Sequence, residues 1–160
     1  MTQLKKLKIY LDTSVISHLD QNDLPDKMAD TLKLWEDIKL GLYDVYISSV
    51  TLSEIHNCCE PKRTKLYEYL GTIDCIVIEI DSEINSVEQQ FIDNNILTLK
   101  NFGDCQHIAC TIVYECDCII SWNFKHIVNI KTQKGVKIIS AIMGYDEVAI
   151  YTPTFLVEGE

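Results

Sequence analysis

Four polar residues in this chain stand where side chains can do chemistry: Asp12, Glu54, Asp104 and Asn123. Asp12 ends the apolar run Ile9-Tyr10-Leu11, Glu54 follows the apolar segment 45–48, Asp104 follows Gly103, and Asn123 ends Ser121-Trp122-Asn123. Three carboxylates brought together repel one another, each ionised pair costing about 4 kcal/mol at 4 Å and an effective dielectric of 20. Such a cluster either retains protons or binds hard divalent cations, and Mg²⁺ or Mn²⁺ prefers oxygen ligands of this kind. A site so loaded can activate water and stabilise an in-line displacement at phosphorus.

Whether the four meet depends on the elements that carry them. Alternation and β-branching predict a strand over residues 9–11, a second over 45–48, a fully buried third over 75–80, a fourth over 118–121 and a short last one over 148–151. Between them, helical spacing predicts a short helix over 15–19 and one from Pro25 through Met28, Leu32, Trp35 and Ile38 to Gly41. Further helices are expected after Ser49 or Thr51, over 61–70, from Asp81 or Ser82 through Phe91, from Asp104 through Val113, and over 134–143. Strands and helices alternate, so the expected fold is α/β, three layers with a mainly parallel central sheet. Ligands bind such sheets at the carboxyl ends of the strands, where all four polar residues fall.

Each residue also has a local role open to it. Thr51 to Glu54 fits a capping box, Asp104 fits an N-cap, Asp12 can cap the short helix after it, and Asn123 suits a turn. Capping explains each acid singly but does not predict that all share one sheet edge.

The chain has 160 residues, expected to form one unit over 1–160, with 24 Asp and Glu against 14 Lys and Arg and a net charge of -10. That balance argues against long-range wrapping of nucleic acid, although an acidic cleft filled with cations reverses its own charge. Local basic clusters occur at Lys5, Lys6 and Lys8, at Lys62, Arg63 and Lys65, and at Lys131, Lys134 and Lys137. The start of the chain has no long apolar core of a signal peptide, so a cytoplasmic location is expected. Seven scattered cysteines read as small reduced hydrophobes; the alternative is a zinc site drawn from Cys105, His107, Cys110, Cys116 and Cys118, whose spacing matches no paired Cys-x-x-Cys array.

The segments Tyr10-Leu11-Asp12-Thr13-Ser14, Ser53-Glu54-Ile55, Gly103-Asp104-Cys105-Gln106-His107-Ile108-Ala109 and Ser121-Trp122-Asn123-Phe124, with Tyr151-Thr152-Pro153 near the end, resemble the successive motifs of PIN domains, most closely the bacterial VapC-like toxin branch. The resemblance spans about residues 9–156, and its specificity lies in the order and spacing of short motifs. It implies a PIN-like nuclease fold, Mg²⁺- or Mn²⁺-dependent cleavage of RNA, a homodimer, and a protein antitoxin as partner. Under it, Asp12, Glu54 and Asp104 match the three metal-binding acids and Asn123 the variable fourth position, often Asp. Thr13, Ser14 and Ser121 become candidates for positioning a carboxylate or water. His107, three residues after Asp104, either touches the site or is a satisfied, partly buried histidine; Lys125 and His126 stand within reach of a substrate phosphate. The competing expectation keeps the fold without the chemistry, as a binding module acting through protein or RNA contacts.

Overall fold

The computed structural model describes residues 5–159; residues 1–4 and 160 of the expected unit lie outside them. Its centre is β1 (Leu7–Leu11), whose side chains alternate between two cores. Tyr10 joins one and Ile9 and Leu11 the other, all three fully buried. A strand covered on both faces needs no polar side, which is why this stretch reads as continuously apolar.

The chain continues through α1 (Thr13–Ser17) and α2 (Pro25–Lys39) to β2 (Tyr43–Ser48), then through α3 (Ser49–His56) and α4 (Lys62–Leu70) to β3 (Ile76–Ile78). It returns through α5 (Ser82–Asp93) and α6 (Phe102–Val113) to β4 (Cys118–Ile120), then through α7 (Ile130–Met143) to β5 (Ala149–Tyr151), and closes with α8 (Pro153–Glu158). Every strand pair is parallel, in the order β3-β2-β1-β4-β5. Pro25 opens α2 at its first turn, and Gly41, with φ of +80°, follows it in the left-handed conformation that glycine takes without strain. Residues of α5, α6 and α7 fill one core; Val15, Ile16, Leu34, Trp35, Ile55, Leu66 and Leu156 fill the other. No helix among the described residues is long and apolar enough to cross a membrane.

Four expectations are corrected. β3 is a three-residue edge strand and not a fully buried one, with Ile76 and Val77 half exposed, because β2 flanks it on one side only. The helix carrying Asp104 begins at Phe102, so Asp104 lies in its first turn and is not its cap. α7 starts at Ile130, four residues early, because the Asn129 side chain accepts the Thr132 N–H. A last helix, α8, follows β5; the Thr152 side chain accepts the Phe155 N–H and Pro153 fills the first turn.

One buried group opposes the fold. Glu88 in α5 is 2% exposed and its Oε1 has no hydrogen-bond partner among the described residues. Burial, only partly offset by a hydrogen bond from Gln106, holds its carboxyl above the usual range. The folded chain therefore binds a proton there that the unfolded chain has released. Stability falls as pH rises from the ordinary glutamate range through the raised value, and the loss persists above it. Glu88→Met is expected to raise the thermal midpoint at pH 7.5 by about 2–4 °C, about 1 kcal/mol, with the gain vanishing toward pH 4. Midpoints measured across that range check it; a gain independent of pH contradicts it.

Candidate active site

β1 has β2 on one side and β4 on the other, and the chain leaves β1 and β4 toward opposite faces of the sheet. That divergence opens a crevice at the carboxyl ends of β1 and β4, the position where open α/β sheets hold ligands. Asp12 follows β1 directly, and Ser121, Trp122 and Asn123 follow β4. Glu54 reaches the same edge from α3, and Asp104 from the first turn of α6.

Asp12 is 3% exposed and rigidly held. Its Oδ2 accepts hydrogen bonds from the hydroxyls of Ser14 and Ser121, both at 2.7 Å. Each hydroxyl is itself oriented by a backbone amide: Trp122 N–H donates to Ser14 Oγ and Asn123 N–H to Ser121 Oγ, both at 2.9 Å. With its acceptor side occupied, each serine directs its one proton to Asp12. Ser14 and Ser121 thus join the turns after β1 and β4 through a single carboxylate oxygen.

Glu54 does not close a capping box with Thr51. The box at the start of α3 is made by Ser48 and Thr51, with Ser48 N–H donating to Thr51 Oγ1 at 3.2 Å, which frees Glu54 for other partners. Its Oε1 lies 2.6 Å from His107 Nε2 and accepts the Thr13 hydroxyl at 3.2 Å. His107 is fully buried, deeper than a partly buried histidine, and its Nε2 also lies 3.5 Å from Asp12 Oδ1. Its Nδ1 is hydrogen-bonded to the Tyr10 hydroxyl at 2.6 Å, and that hydroxyl donates to Ser48 Oγ at 2.8 Å. Burial alone would push the imidazole toward its neutral form, but the Glu54 hydrogen bond and the charges of Asp12, Glu54 and Asp104 outweigh it and favour imidazolium. Burial likewise raises Glu54, and His107 and Thr13 reverse this, leaving its carboxyl below the usual range.

Asp104 has the weakest support. Its Oδ1 accepts the Asn123 side-chain amide at 3.1 Å, and burial followed by the charge of Asp12 holds its carboxyl above the usual range. Asn123 Oδ1 accepts the His126 N–H at 3.0 Å, so the carboxamide presents nitrogen and not oxygen to Asp104. His126 Nε2 in turn sits 3.1 Å from the Asn101 amide nitrogen at the start of α6.

Of the residues singled out in the sequence, Asp12, Thr13, Ser14, Glu54, Asp104, His107, Ser121 and Asn123 are thus joined directly or through one another. Tyr10 and Ser48 were missed. The signal was a tyrosine inside an aliphatic strand, whose buried hydroxyl requires a partner. The four cysteines of the alternative zinc set are buried, and burial pushes the thiols of Cys105, Cys110, Cys116 and Cys118 up to about 12. Cys105, Cys110 and Cys116 pack in one core and Cys118 in the other, each as a small hydrophobe.

One oxygen of each acid, Asp12 Oδ1, Glu54 Oε2 and Asp104 Oδ2, accepts no hydrogen bond from the described residues. Three anionic oxygens at one sheet edge are the donor chemistry that Mg²⁺ or Mn²⁺ takes. As the side chains stand, no three His, Cys, Asp or Glu residues among those described close on a common point. Glu54 is turned onto His107 instead.

No family model and no curated protein matches the sequence. Solved structures do resemble the fold. VapBC2 from Rickettsia felis, crystallised with a DNA fragment from their promoter, superposes with a TM-score of 0.57 over 91% of this chain and 98% of that one, at 14% identity. VapC20 from Mycobacterium tuberculosis, described as a sarcin-ricin loop cleaving toxin, gives 0.52 over 88% and 98%, at 16% identity. The five-stranded parallel sheet with helices on both faces is the PIN-like fold of these VapC structures.

Proposed function

We propose that the chain is a metal-dependent endoribonuclease that hydrolyses RNA phosphodiesters, acting as the toxin of a toxin–antitoxin pair. The observation that carries this reading is the set of three acids at the carboxyl ends of β1 and β4, each with one oxygen that accepts no hydrogen bond among the described residues. The VapC-like fold supports the toxin assignment, and with it a protein antitoxin and a homodimer as the expected partnerships.

Asp12, Glu54 and Asp104 would hold Mg²⁺ or Mn²⁺, which when bound supplies Lewis acidity toward water and the phosphodiester. The chain's own residues prepare the place. Ser14 and Ser121 hold Asp12 by its Oδ2, which leaves Oδ1 on the side of His107 and Glu54. Thr13 and His107 restrain Glu54, and the imidazole carries positive charge into a cluster that would otherwise repel itself. Asn123 serves as a neutral donor that steadies Asp104, in place of a fourth charge. Preorganised donors of this kind lower the cost of ordering the site during reaction.

A ligand that binds only the native state raises its stability by about 2.7 kcal/mol at 100 times its Kd. Millimolar Mn²⁺ is therefore expected to raise the thermal midpoint of the wild type and to leave Asp104→Asn unmoved. Equal shifts in both proteins, or none in either, contradict the assignment and favour a binding module.

A further inference from the structure

Beside the acids lies a groove of about 420 Å³, walled by Thr98, Asn101, Lys125, His126, Asn129 and Lys131. It is joined to the site through hydrogen bonds: Asp104 to Asn123, Asn123 to the His126 amide, and the His126 ring to Asn101. Thr98 Oγ1 holds the Asn101 carboxamide at 3.0 Å, which fixes that wall. Because Asn101 donates to His126 Nε2, the ring's remaining N–H is on Nδ1.

The groove wall carries two lysines, Lys125 and Lys131, in a chain of acidic balance. The net charge is -10, and several basic side chains elsewhere are engaged: Lys33 with Asp37, Lys39 with Glu36, Arg63 with Glu60, Lys65 with Asp20, and Lys27 over the rings of Trp122 and Phe124. Lys125 and Lys131 form no ion pair among the described residues. Lys131 also stands in the first turn of α7, a 14-residue helix whose positive end it faces with a charge of the same sign. That placement is unfavourable in the free protein, and a bound anion relieves it.

We propose that this groove binds a backbone phosphate of the RNA strand flanking the one to be cut, with Lys125 and Lys131 as its cationic contacts. The inference rests on the ribonuclease reading and specifies where the substrate runs. The strand leaves the acidic cleft past Asn123 and His126 toward the start of α7. Cationic contacts at the exit of the acidic site fix the register of the strand in it, as phosphate contacts do.

The test is binding of a fluorescently labelled single-stranded RNA oligonucleotide, in chelator to prevent cleavage, over a series of salt concentrations. The Lys125→Ala, Lys131→Ala double variant is compared with wild type and with a charge-matched control, Lys39→Ala, Lys65→Ala. Wild-type affinity falls with salt, and losing one phosphate contact lowers the slope of log K against log salt by about 0.7. The groove variant is expected to bind at least about tenfold more weakly with that reduced slope, and the control within twofold of wild type. Equal losses in both variants, an unchanged groove variant, or no binding by wild type at low salt each overturn the groove. Cleavage by wild type with Mn²⁺ is assayed on the same preparations. Weakened binding by the groove variant without any wild-type cleavage supports the groove and sinks the ribonuclease reading; cleavage with unchanged binding does the reverse.

Discussion

Asp12→Asn is expected to lower the rate of RNA cleavage by at least about 10²-fold while the protein stays folded. The substitution is nearly isosteric, and the network around Asp12 allows the two effects to be separated. With the asparagine oxygen in the place of Oδ2, the hydroxyls of Ser14 and Ser121 keep their acceptor, and so do the amides of Trp122 and Asn123 behind them. The amide nitrogen then replaces Oδ1, the oxygen that faces His107 Nε2 at 3.5 Å and accepts no hydrogen bond among the described residues. The loss is confined to the anionic oxygen of the cleft, with a cost to stability of about 1 kcal/mol from the mismatch with the imidazole. Single-turnover cleavage and a thermal midpoint on the same preparation check both halves. A wild-type rate removes Asp12 from the chemistry, and an unfolded variant shows that its role is structural.

The largest expected loss of stability is at His107. The ring is fully buried and bridges β1, α3 and α6 through Tyr10 and Glu54. His107→Ala leaves a cavity, strips the Tyr10 hydroxyl of one partner and leaves Glu54 to Thr13 alone. Breaking a wholly buried ion pair costs 3–5 kcal/mol, but the Glu54 side chain is 44% exposed and water replaces part of what it loses. The expected cost is about 3 kcal/mol, or about 6–12 °C in Tm for a chain of this length. His107→Gln, which still offers a donor to Glu54, is expected to recover about half of it. Equal losses in the two variants would mean that volume alone matters and that the bond to Glu54 contributes nothing. A cost below about 0.5 kcal/mol would remove the bridge from the account.

The alternation of apolar strands with amphipathic helices was enough to read the parallel α/β layers, because strands buried on both faces and helices buried on one leave different periodicities in the sequence. The address of Asp12, Glu54, Asp104 and Asn123 was legible for the same reason: Asp12 and Asn123 come just after strands, Asp104 lies in the first turn of a helix, and Glu54 is carried by the helix that follows β2. Their partners were not. Nothing local to His107 says that it reaches Asp12 and Glu54, contacts that span 95 and 53 positions and exist only once β1, α3 and α6 pack. The orientation of Asn123 depends on one backbone amide three residues on. The exposure of β3 was hidden because an edge strand and a central strand carry similar apolar residues, and only the strand order separates them. By contrast, α8 was readable in principle, since Thr152-Pro153 is a helix start in its own right.

The most direct measurement is cleavage of a mixed set of transfer, ribosomal and unstructured RNAs by the purified protein with Mn²⁺, beside a chelator control and the Asp104→Asn variant. The account predicts discrete cleavage by the wild type that disappears in both controls. Cleavage that survives chelation, or a folded wild-type protein free of bound inhibitor that cuts none of these RNAs, would contradict it.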